Sequence, residues 1–230
     1  NVIVVAEGSK IGDANTLDMA QFTLEGWFRR DGTGASNTTG TGGIPSAIPL
    51  ISNGAPEAEN SNVDVNYLLC IDDALDVLCA DFEEGAGGGQ LGLNHPVYGT
   101  TTIQNGVWYH AAVTYDGSRW KLYLNGNLEA DVLVGQPVNA ANNSATALAT
   151  MLTSTNTANG FFDGAMDEVR IWNTARSQAQ IMSDVNNQIS SPVSGLVARW
   201  GLNEGSGTVV GGTAGTTITG TVTGSGYSWI

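Results

Sequence analysis

Apolar and polar residues alternate along much of the chain, which is the pattern of β-strands that have one face in a core. The segment 22–28, FTLEGWF, places its two phenylalanines and Leu24 on one face and Glu25 on the other. Short runs of this kind, separated by polar turns rich in Gly, Thr, Asn and Ser, recur to the end of the chain. The pattern therefore predicts an all-β protein.

Residues 108–130, WYHAAVTYDGSRWKLYLNGNLEA, predict three strands that run back and forth in one sheet. Asp116-Gly117 and Asn125-Gly126 each suit a type I′ turn, whose two central residues both need positive φ. The first strand, 108–115, is mostly apolar on both faces, which favours a position inside the sheet rather than at its edge.

The segments NYLLCID and LDVLCADF predict a second hairpin with its turn at Ala74-Leu75. That register sets three apolar pairs on one face and sets Cys70 directly opposite Cys79 on the other. Directly opposed strand cysteines are close enough for a disulfide when the pair is not hydrogen-bonded. We predict this bridge in an oxidising setting, with a stabilisation of roughly 2–3 kcal/mol. The alternative is two half-buried thiols, because two cysteines alone fix no redox compartment.

Two long segments, 31–48 and 85–102, are rich in Gly and show no periodicity, so both are predicted to be loops. Binding function is expected in such loops. One helix is predicted near 177–188, because Ser177 and Gln180 fit a capping box and apolar residues then recur every four positions. No repeat or linker divides the chain, so residues 1–230 are predicted to form a single domain.

The charge of the chain argues against several partners. Its 230 residues include 22 acidic and 8 basic ones, for a formal net charge of −14. Duplex-binding surfaces need clustered Lys and Arg, and the only lysines are Lys10 and Lys121. Neither nucleic acid nor an anionic membrane surface is a predicted partner, and no run of 18 apolar residues predicts membrane insertion. The chain begins at Asn1, which indicates a processed product, a trimmed chain or an excised fragment.

Four blocks of sequence resemble segments of a known family. They are FTLEGWFRR, WYHAAVTYDGSRWKLYLNGNLEA, GFFDGAMDEVRIWNTARSQAQI and RWGLNEGSGT. Together they resemble the LamG-like jelly-roll family of the concanavalin A-like lectin/glucanase superfamily, whose relatives include laminin G domains and pentraxins. The resemblance implies a two-sheet antiparallel jelly-roll sandwich. It also implies an extracellular or cell-surface location, as one module of a larger secreted protein.

The superfamily that the chain resembles includes glycoside hydrolases, which need two carboxylates close together. In the superfamily's glucanases these carboxylates lie on one strand, spaced E-x-D-x-E or E-x-D-x-x-E. Asp81, Glu83 and Glu84 come closest, but the leading Glu is missing. Asp167 and Glu168 do not match the catalytic arrangement either, because neighbouring residues on a strand point to opposite faces. No nucleophile elbow, Cys/His metal spacing or phosphate loop is present. The predicted function is therefore non-catalytic.

Two functions remain. The first is a binding module for carbohydrate, another surface polymer or other protein modules. Tyr98, near Asn94 and His95, is a candidate cluster, because sugars contact exposed aromatic faces beside polar groups; the alternative is a tyrosine that covers a sheet edge. The second function is a structural or adhesive unit that self-assembles into stalks or filaments. A glycan array should give a hit only under the first hypothesis, and electron microscopy should show polymers only under the second.

The sequence also predicts a structural calcium ion. In AMDEVRI, strand alternation places Asp167 on one face with Val169 and Ile171, where a carboxylate is costly unless it is paired or bound to a cation. Calcium takes about six to eight oxygens from carboxylates and carbonyls. The resemblance implies an Asp ligand at the position of Asp167. Glu204 is the predicted second carboxylate and Glu7 the reserve. The alternative is that Asp167 accepts backbone N–H bonds and no metal binds.

Overall fold

The computed structural model describes residues 3–5, 9–11, 17–56, 64–140, 145–153, 155–213, 218–224 and 226–230. One α-helix and eighteen strands occur in these ranges. They are β1 (Ile3–Val5), β2 (Ser9–Ile11), β3 (Phe22–Arg30), β4 (Ala47–Asn53), β5 (Tyr67–Asp72), β6 (Val77–Asp81), β7 (Val97–Thr102), β8 (Trp108–Tyr115), β9 (Arg119–Leu124), β10 (Asn127–Leu133), β11 (Thr146–Leu148), β12 (Thr150–Leu152), β13 (Ala158–Phe161), β14 (Gly164–Trp172), α1 (Gln178–Asp184), β15 (Leu196–Trp200), β16 (Val209–Val210), β17 (Gly220–Val222) and β18 (Ser228–Trp229).

The described strands form two antiparallel sheets of eight strands each. Sheet A has the order β10-β9-β8-β3-β14-β1-β18, with β15 also paired to β14. Sheet B has the order β16-β17-β2-β11-β4-β5-β6-β7, and β12 and β13 form a separate pair. This confirms the predicted all-β, two-sheet jelly-roll sandwich. The prediction that residues 108–115 form an inner strand is also confirmed, because β8 lies between β3 and β9.

The hydrophobic core lies between the two sheets, and aromatic rings from both sheets meet in it. The ring centroids of Phe22 in β3 and Tyr67 in β5 are 5.1 Å apart. Trp120 makes edge-on contacts with Phe22 and Phe82, at 5.6 and 5.3 Å between ring centroids. Large rings in such tilted arrangements bury much apolar area, and this packing holds the sheets face to face.

The turn between β9 and β10 has the predicted type I′ geometry. Asn125 and Gly126 have φ values of 51° and 76°, and Leu124 pairs directly with Asn127 across them. A two-residue turn of this kind matches the twist of the strands that it joins.

The prediction of a type I′ turn at Asp116-Gly117 is wrong. Tyr115 pairs with Trp120, so the connection is longer than two residues. Gly117 has a φ of 90°, whereas Asp116 is not among the residues with positive φ. The side chain of Asp116 accepts hydrogen bonds from the backbone N–H groups of Ser118 and Arg119, at 2.8 and 2.6 Å. This Asx-type bonding stabilises the wider turn.

The second hairpin has the predicted register, and Cys70 and Cys79 form the predicted disulfide. The two residues are directly paired, with their Cα atoms 4.9 Å apart. Both cysteines are 0% exposed and lie on the outer face of sheet B, away from the main core. The turn centres on residues 73–76, where Asp72 accepts hydrogen bonds from the N–H groups of residues 74 and 75.

The prediction of a loop over the whole of 85–102 is wrong, because residues 97–102 form β7 at the edge of sheet B. The segment is an edge strand whose later residues are partly or fully exposed, so it has no clear alternation. Its backbone N–H groups at Thr100 and Thr101 donate to the carboxylate of Glu129 in β10. The side chain of Glu129 thus provides acceptors for two N–H groups of an edge strand that would otherwise have no partner.

Helix α1 ends at Asp184, earlier than the predicted 188. The predicted capping box is present, since Ser177 Oγ accepts from Gln180 N–H and Gln180 Oε1 accepts from Ser177 N–H. Ile181 packs against Ala112 and Tyr123 on the outer face of sheet A. The described residues contain no helix of the length and hydrophobicity needed to cross a membrane.

Candidate functional site

A buried ionic network lies between sheet A and α1. Glu25 of β3 is 0% exposed, and its Oε1 accepts from Trp172 Nε1 at 2.8 Å and from Arg176 Nη1 at 3.0 Å. Arg170 Nη1 lies 3.6 Å from the same oxygen. Burial raises the pKa of Glu25, and the charges of Arg176 and Arg170 oppose that rise. The carboxylate therefore organises two arginines around itself.

The segment that follows α1 is fixed by side chains of sheet A. Arg170 donates to the carbonyl oxygens of Asp184, at 3.0 Å, and Asn187. Trp27 Nε1 donates to the carbonyl oxygen of Val185 at 2.8 Å. The last carbonyls of a helix have no partner inside the helix. These three bonds satisfy carbonyls at the end of α1 and hold residues 184–188 as a wall beside the sheet.

A β-bulge in β14 redirects Asp167. The pairing of β14 with β3 shifts between Asp167 and Arg170, and Glu168 has a φ of 50°. Residues before and after the bulge, including Val169 and Ile171, belong to the main core. The prediction that Asp167 shares their face is wrong, because one extra residue in a strand reverses the alternation. Asp167 instead faces the outer side of sheet A.

A cavity of about 310 Å³ opens where the bulge of β14, β3 and the end of α1 meet. We call it the Trp27 cavity. Its lining combines an indole, two carboxyl groups and four amide side chains: Trp27, Asp167, Glu168, Asn186, Asn187, Gln188 and Asn203. Asn186, Gln188 and Asn203 are exposed, whereas Trp27 is half-buried.

The two carboxyl groups of the Trp27 cavity differ in their partners. Glu168 forms ion pairs with Arg170, at 3.2 Å, and with Arg199. Asp167 forms no ion pair with a described residue, and its Oδ1 is buried without a hydrogen-bond partner. Burial and, to a smaller extent, the charge of Glu168 raise the pKa of Asp167 to about 6, while the N–H of Glu168 acts in the opposite direction. At neutral pH the cavity therefore has one carboxylate that forms no ion pair with a described residue.

The structure does not place the other predicted metal ligands in this cavity. Glu204 is exposed, and its Oε1 accepts from the N–H of Gly211 at 2.8 Å. Its neighbour Asn203 lines the cavity, but Glu204 does not. Glu7 lies outside the described residues. In the ranges that the structure describes, no group of three or more His, Cys, Asp and Glu side chains gathers as a metal site.

The residues of the Tyr98 cluster lie in different environments. Tyr98 of β7 is half-buried and packs against the cysteine-containing cluster on the outer face of sheet B. Asn94 is 4% exposed. The ring of His95 contacts Phe82 at 5.0 Å between ring centroids, and its Nε2 lies 3.0 Å from Glu84 Oε2. The three side chains therefore form no common binding surface.

The carboxylates with the nearest match to a hydrolase pattern are also engaged within the fold. Asp81, Glu83 and Glu84 are each at most 1% exposed. Asp81 Oδ2 accepts from the hydroxyl of Thr39 at 2.5 Å, and Glu83 Oε2 accepts from the N–H groups of residues 64 and 65. These contacts attach surrounding loops to sheet B.

The sequence analysis missed the Trp27 cavity. The alternation of β3 shows that Trp27 lies on the face opposite to the core, which is a signal for an outward aromatic ring. The amides of residues 186–188 were assigned to the helix, and the bulge at Glu168 was not foreseen. Nothing local in the sequence indicates that these three segments meet.

Solved structures with the same fold include proteins that bind sugars. A proposed carbohydrate-binding protein from Bacteroides ovatus matches with a TM-score of 0.68 and 20% identity over 100% of this chain. The chain spans 59% of the length of that protein. The CBM40 of a Ruminococcus gnavus sialidase, bound to α2,3-sialyllactose, matches with a TM-score of 0.59 and 14% identity, covering 80% of this chain and 95% of its own.

Domain 4 of AbnA, an extracellular GH43 arabinanase from Geobacillus stearothermophilus in complex with arabinotriose, is a third similar structure. Its TM-score is 0.51 and its identity 19%, and the match covers 79% of this chain and 75% of the other. At these identities the likeness shows the fold alone. No curated protein matches the chain significantly. The Laminin_G_3 family model matches residues 6–182, and the chain therefore belongs to the concanavalin A-like lectin/glucanases superfamily.

Proposed function

We propose that this member of the superfamily is a non-catalytic module that binds one sugar residue of a carbohydrate or surface polymer in the Trp27 cavity. The composition of that cavity carries the proposal. Sugars have apolar C–H faces that pack on aromatic rings, and hydroxyl groups that donate to carboxylates and bind to amides. An indole, a carboxylate without an ion pair and four amides surround a volume that is typical of small-ligand sites.

The wall of the cavity is preorganised for binding. Arg170 and Trp27 hold the backbone of residues 184–187 in place, so this backbone needs little further ordering when a ligand binds. Asp167 forms no ion pair with a described residue and is negatively charged at neutral pH. The cavity therefore favours a neutral sugar and disfavours an acidic one, because a second negative charge would repel Asp167.

The similar structures support this proposal, since three of them are proteins whose described or proposed ligands are carbohydrates. The Cys70–Cys79 disulfide supports an extracellular or cell-surface location, because disulfides persist mainly in oxidising compartments. We further propose that the chain is one module of a larger secreted protein.

Trp27→Ala should weaken binding of a neutral oligosaccharide by about thirtyfold, because truncating a central aromatic side chain costs at least about 2 kcal/mol. A glycan array with the parent protein identifies the probe, and isothermal titration calorimetry measures each affinity. Asn186→Ala, at an exposed position, should also weaken binding without affecting the fold. Trp108→Ala is the matched control, since Trp108 is half-buried in the same sheet but does not line the cavity. The proposal fails if the array gives no hit or if Trp27→Ala and Asn186→Ala bind like the parent.

A calcium ion at Asp167 is a separate proposal. Asp167 suits one ligand position, because its buried Oδ1 has no partner and amide oxygens line the same cavity. Six or more oxygens are typical of calcium sites, so the remaining ligands would be carbonyl and amide oxygens together with Glu204, if that side chain turns towards the ion. Such an ion would stabilise the fold and hold the bulge of β14.

Removing calcium should therefore lower the midpoint of thermal unfolding. At a hundredfold excess over its dissociation constant the ion adds about 2.7 kcal/mol, which corresponds to roughly 5–10 °C for a chain of this size. Differential scanning fluorimetry with calcium and with a chelator measures the shift. Asp167→Asn should abolish it, and Glu204→Gln tests the second ligand. An unchanged midpoint after chelation would rule out the ion.

A further inference from the structure

A second cavity lies at the other end of α1. It has a volume of about 390 Å³ and lies on the outer face of sheet A, between β8, β9 and the segment that leads into the helix. We call it the Lys121 cavity. Its lining includes Thr114, Lys121, Tyr123, Leu128, Arg176 and Gln178. It shares no lining residue with the Trp27 cavity, which lies beyond the last turn of α1.

Lys121 is the cation of this cavity that lies outside the ionic network beneath α1. It forms no ion pair with any described residue, although two acidic residues lie close to it. Asp131 is directly opposite Lys121 in β10, but its Oδ1 binds Arg119 Nε at 2.7 Å. Asp116 Oδ1 accepts two backbone N–H bonds. The charge of Lys121 helps to lower the pKa of Asp131, but neither acidic neighbour forms an ion pair with the ammonium group, which therefore stays accessible to a ligand.

The second cation of the cavity has its own partners. Arg176 is 8% exposed and donates to Glu25 and Asp184 in the network beneath α1. It keeps the rim of the cavity in place, and its positive charge is shared with these two carboxylates. Two of the 8 basic residues of the chain thus line one cavity beside a single acidic residue, Asp116, although the whole chain has 22 acidic residues. Because Arg176 is paired with two carboxylates, the positive charge that this cavity offers to a ligand is that of Lys121.

The remaining lining suits a sugar ring. Leu128 is 48% exposed and gives the cavity an apolar surface, whereas Tyr123 lies beneath it and is only 3% exposed. Gln178 supplies a polar group at the edge and is itself oriented by a hydrogen bond of 2.8 Å to the carbonyl of Gly126, whereas Thr114 is only 3% exposed. An apolar floor with a few convergent polar groups is typical of a small-ligand site.

We propose that the Lys121 cavity binds a carboxylate-bearing sugar residue, such as a uronic acid, with the carboxylate at the ammonium group of Lys121. The pyranose ring packs on Leu128, and its hydroxyls reach Gln178. This site is distinct from the neutral-sugar site proposed above. A chain with a formal net charge of −14 repels acidic polymers in general. At physiological salt, however, the repulsion from charges more than about 8 Å away is screened. The ammonium group of Lys121 is close enough to attract the carboxylate of the ligand.

Trigalacturonate and its fully methyl-esterified form are the matched probes, because they differ only in the charge of the carboxyl groups. Amide chemical shifts of the ¹⁵N-labelled protein should change with trigalacturonate at residues 114, 121–123 and 176–180. The methyl ester should bind at least about tenfold more weakly, as expected for loss of one charge-assisted hydrogen bond. Lys121→Gln should cause the same loss, whereas Lys121→Arg should retain binding.

The inference is overturned if trigalacturonate causes no shifts in this cavity, if the methyl ester binds equally well, or if Lys121→Gln binds like the parent. Trp27→Ala separates the two proposals, since it should weaken neutral-sugar binding and leave the trigalacturonate shifts intact. Shifts that move to the Trp27 cavity, or that disappear in Trp27→Ala, contradict the Lys121 site but not the neutral-sugar site.

Discussion

Glu25→Ala should lower the free energy of unfolding by about 3–5 kcal/mol, which is the cost of removing one partner from a buried ion pair. Glu25 accepts hydrogen bonds from Trp172 and Arg176 and lies 3.6 Å from Arg170. All four side chains are at most 8% exposed. The alanine variant leaves buried donors without an acceptor and two guanidinium groups without their shared counter-charge.

Urea unfolding followed by tryptophan fluorescence measures this loss. Glu25→Gln keeps the shape and one acceptor oxygen, so it should lose less stability than Glu25→Ala, because Trp172 retains its hydrogen bond. Both variants should also loosen residues 184–188, since Arg170 bonds to that segment. A Glu25→Ala protein within 1 kcal/mol of the parent would show that α1 is held by apolar packing instead.

Asp81→Asn should become progressively more stable than the parent as the pH rises from 4 to 8. Asp81 is 0% exposed, and burial raises its pKa from 3.8 to about 8, although hydrogen bonds from Thr39 and backbone groups oppose the rise. The folded parent keeps a proton on Asp81 that the unfolded chain releases above pH 4. Its stability is therefore complete below pH 4 and decreases through that interval by about 1.4 kcal/mol per pH unit.

The asparagine variant has no such proton, and its Oδ1 can still accept from the N–H of Phe82, as Asp81 does at 2.9 Å. By pH 7 the accumulated difference should be on the order of 4 kcal/mol in favour of the variant, relative to the difference at pH 4. Urea unfolding at pH 4, 5, 6, 7 and 8 gives the two stability curves. A difference that does not change with pH would mean that Asp81 is ionised in the folded state.

Much of the fold follows from local sequence patterns. Alternation predicted β3 and β8, and the Asn125-Gly126 dipeptide predicted its turn, because only a few residues readily adopt two successive positive φ values. The opposition of Cys70 and Cys79 followed from the side-chain period of two, which fixes register once the apolar face is known. Ser177 and Gln180 predicted the start of α1, because a capping box involves only residues within one turn.

The candidate sites were decided by the tertiary structure. A bulge cannot be inferred from the run AMDEVRI, because it depends on how β14 pairs with β3, about 140 residues earlier in the chain. The same bulge turns Asp167 away from the core and into the Trp27 cavity. The wall of that cavity depends on Arg170 and Trp27, which reach across from sheet A to carbonyls at the end of α1.

Lys121 shows the same division between local and long-range information. Strand alternation places it on the outer face of β9, and a lysine there is expected to be an ordinary solvated residue. Only the folded chain shows that Asp131 is engaged by Arg119 and that α1 rises beside Lys121 to form a cavity. Most of the secondary structure depends on neighbouring residues and followed from the sequence patterns, except at the edge strand β7 and the turn at Asp116-Gly117. The sites depend on side chains that are distant in the sequence, and only the packing of α1 on sheet A brings them together.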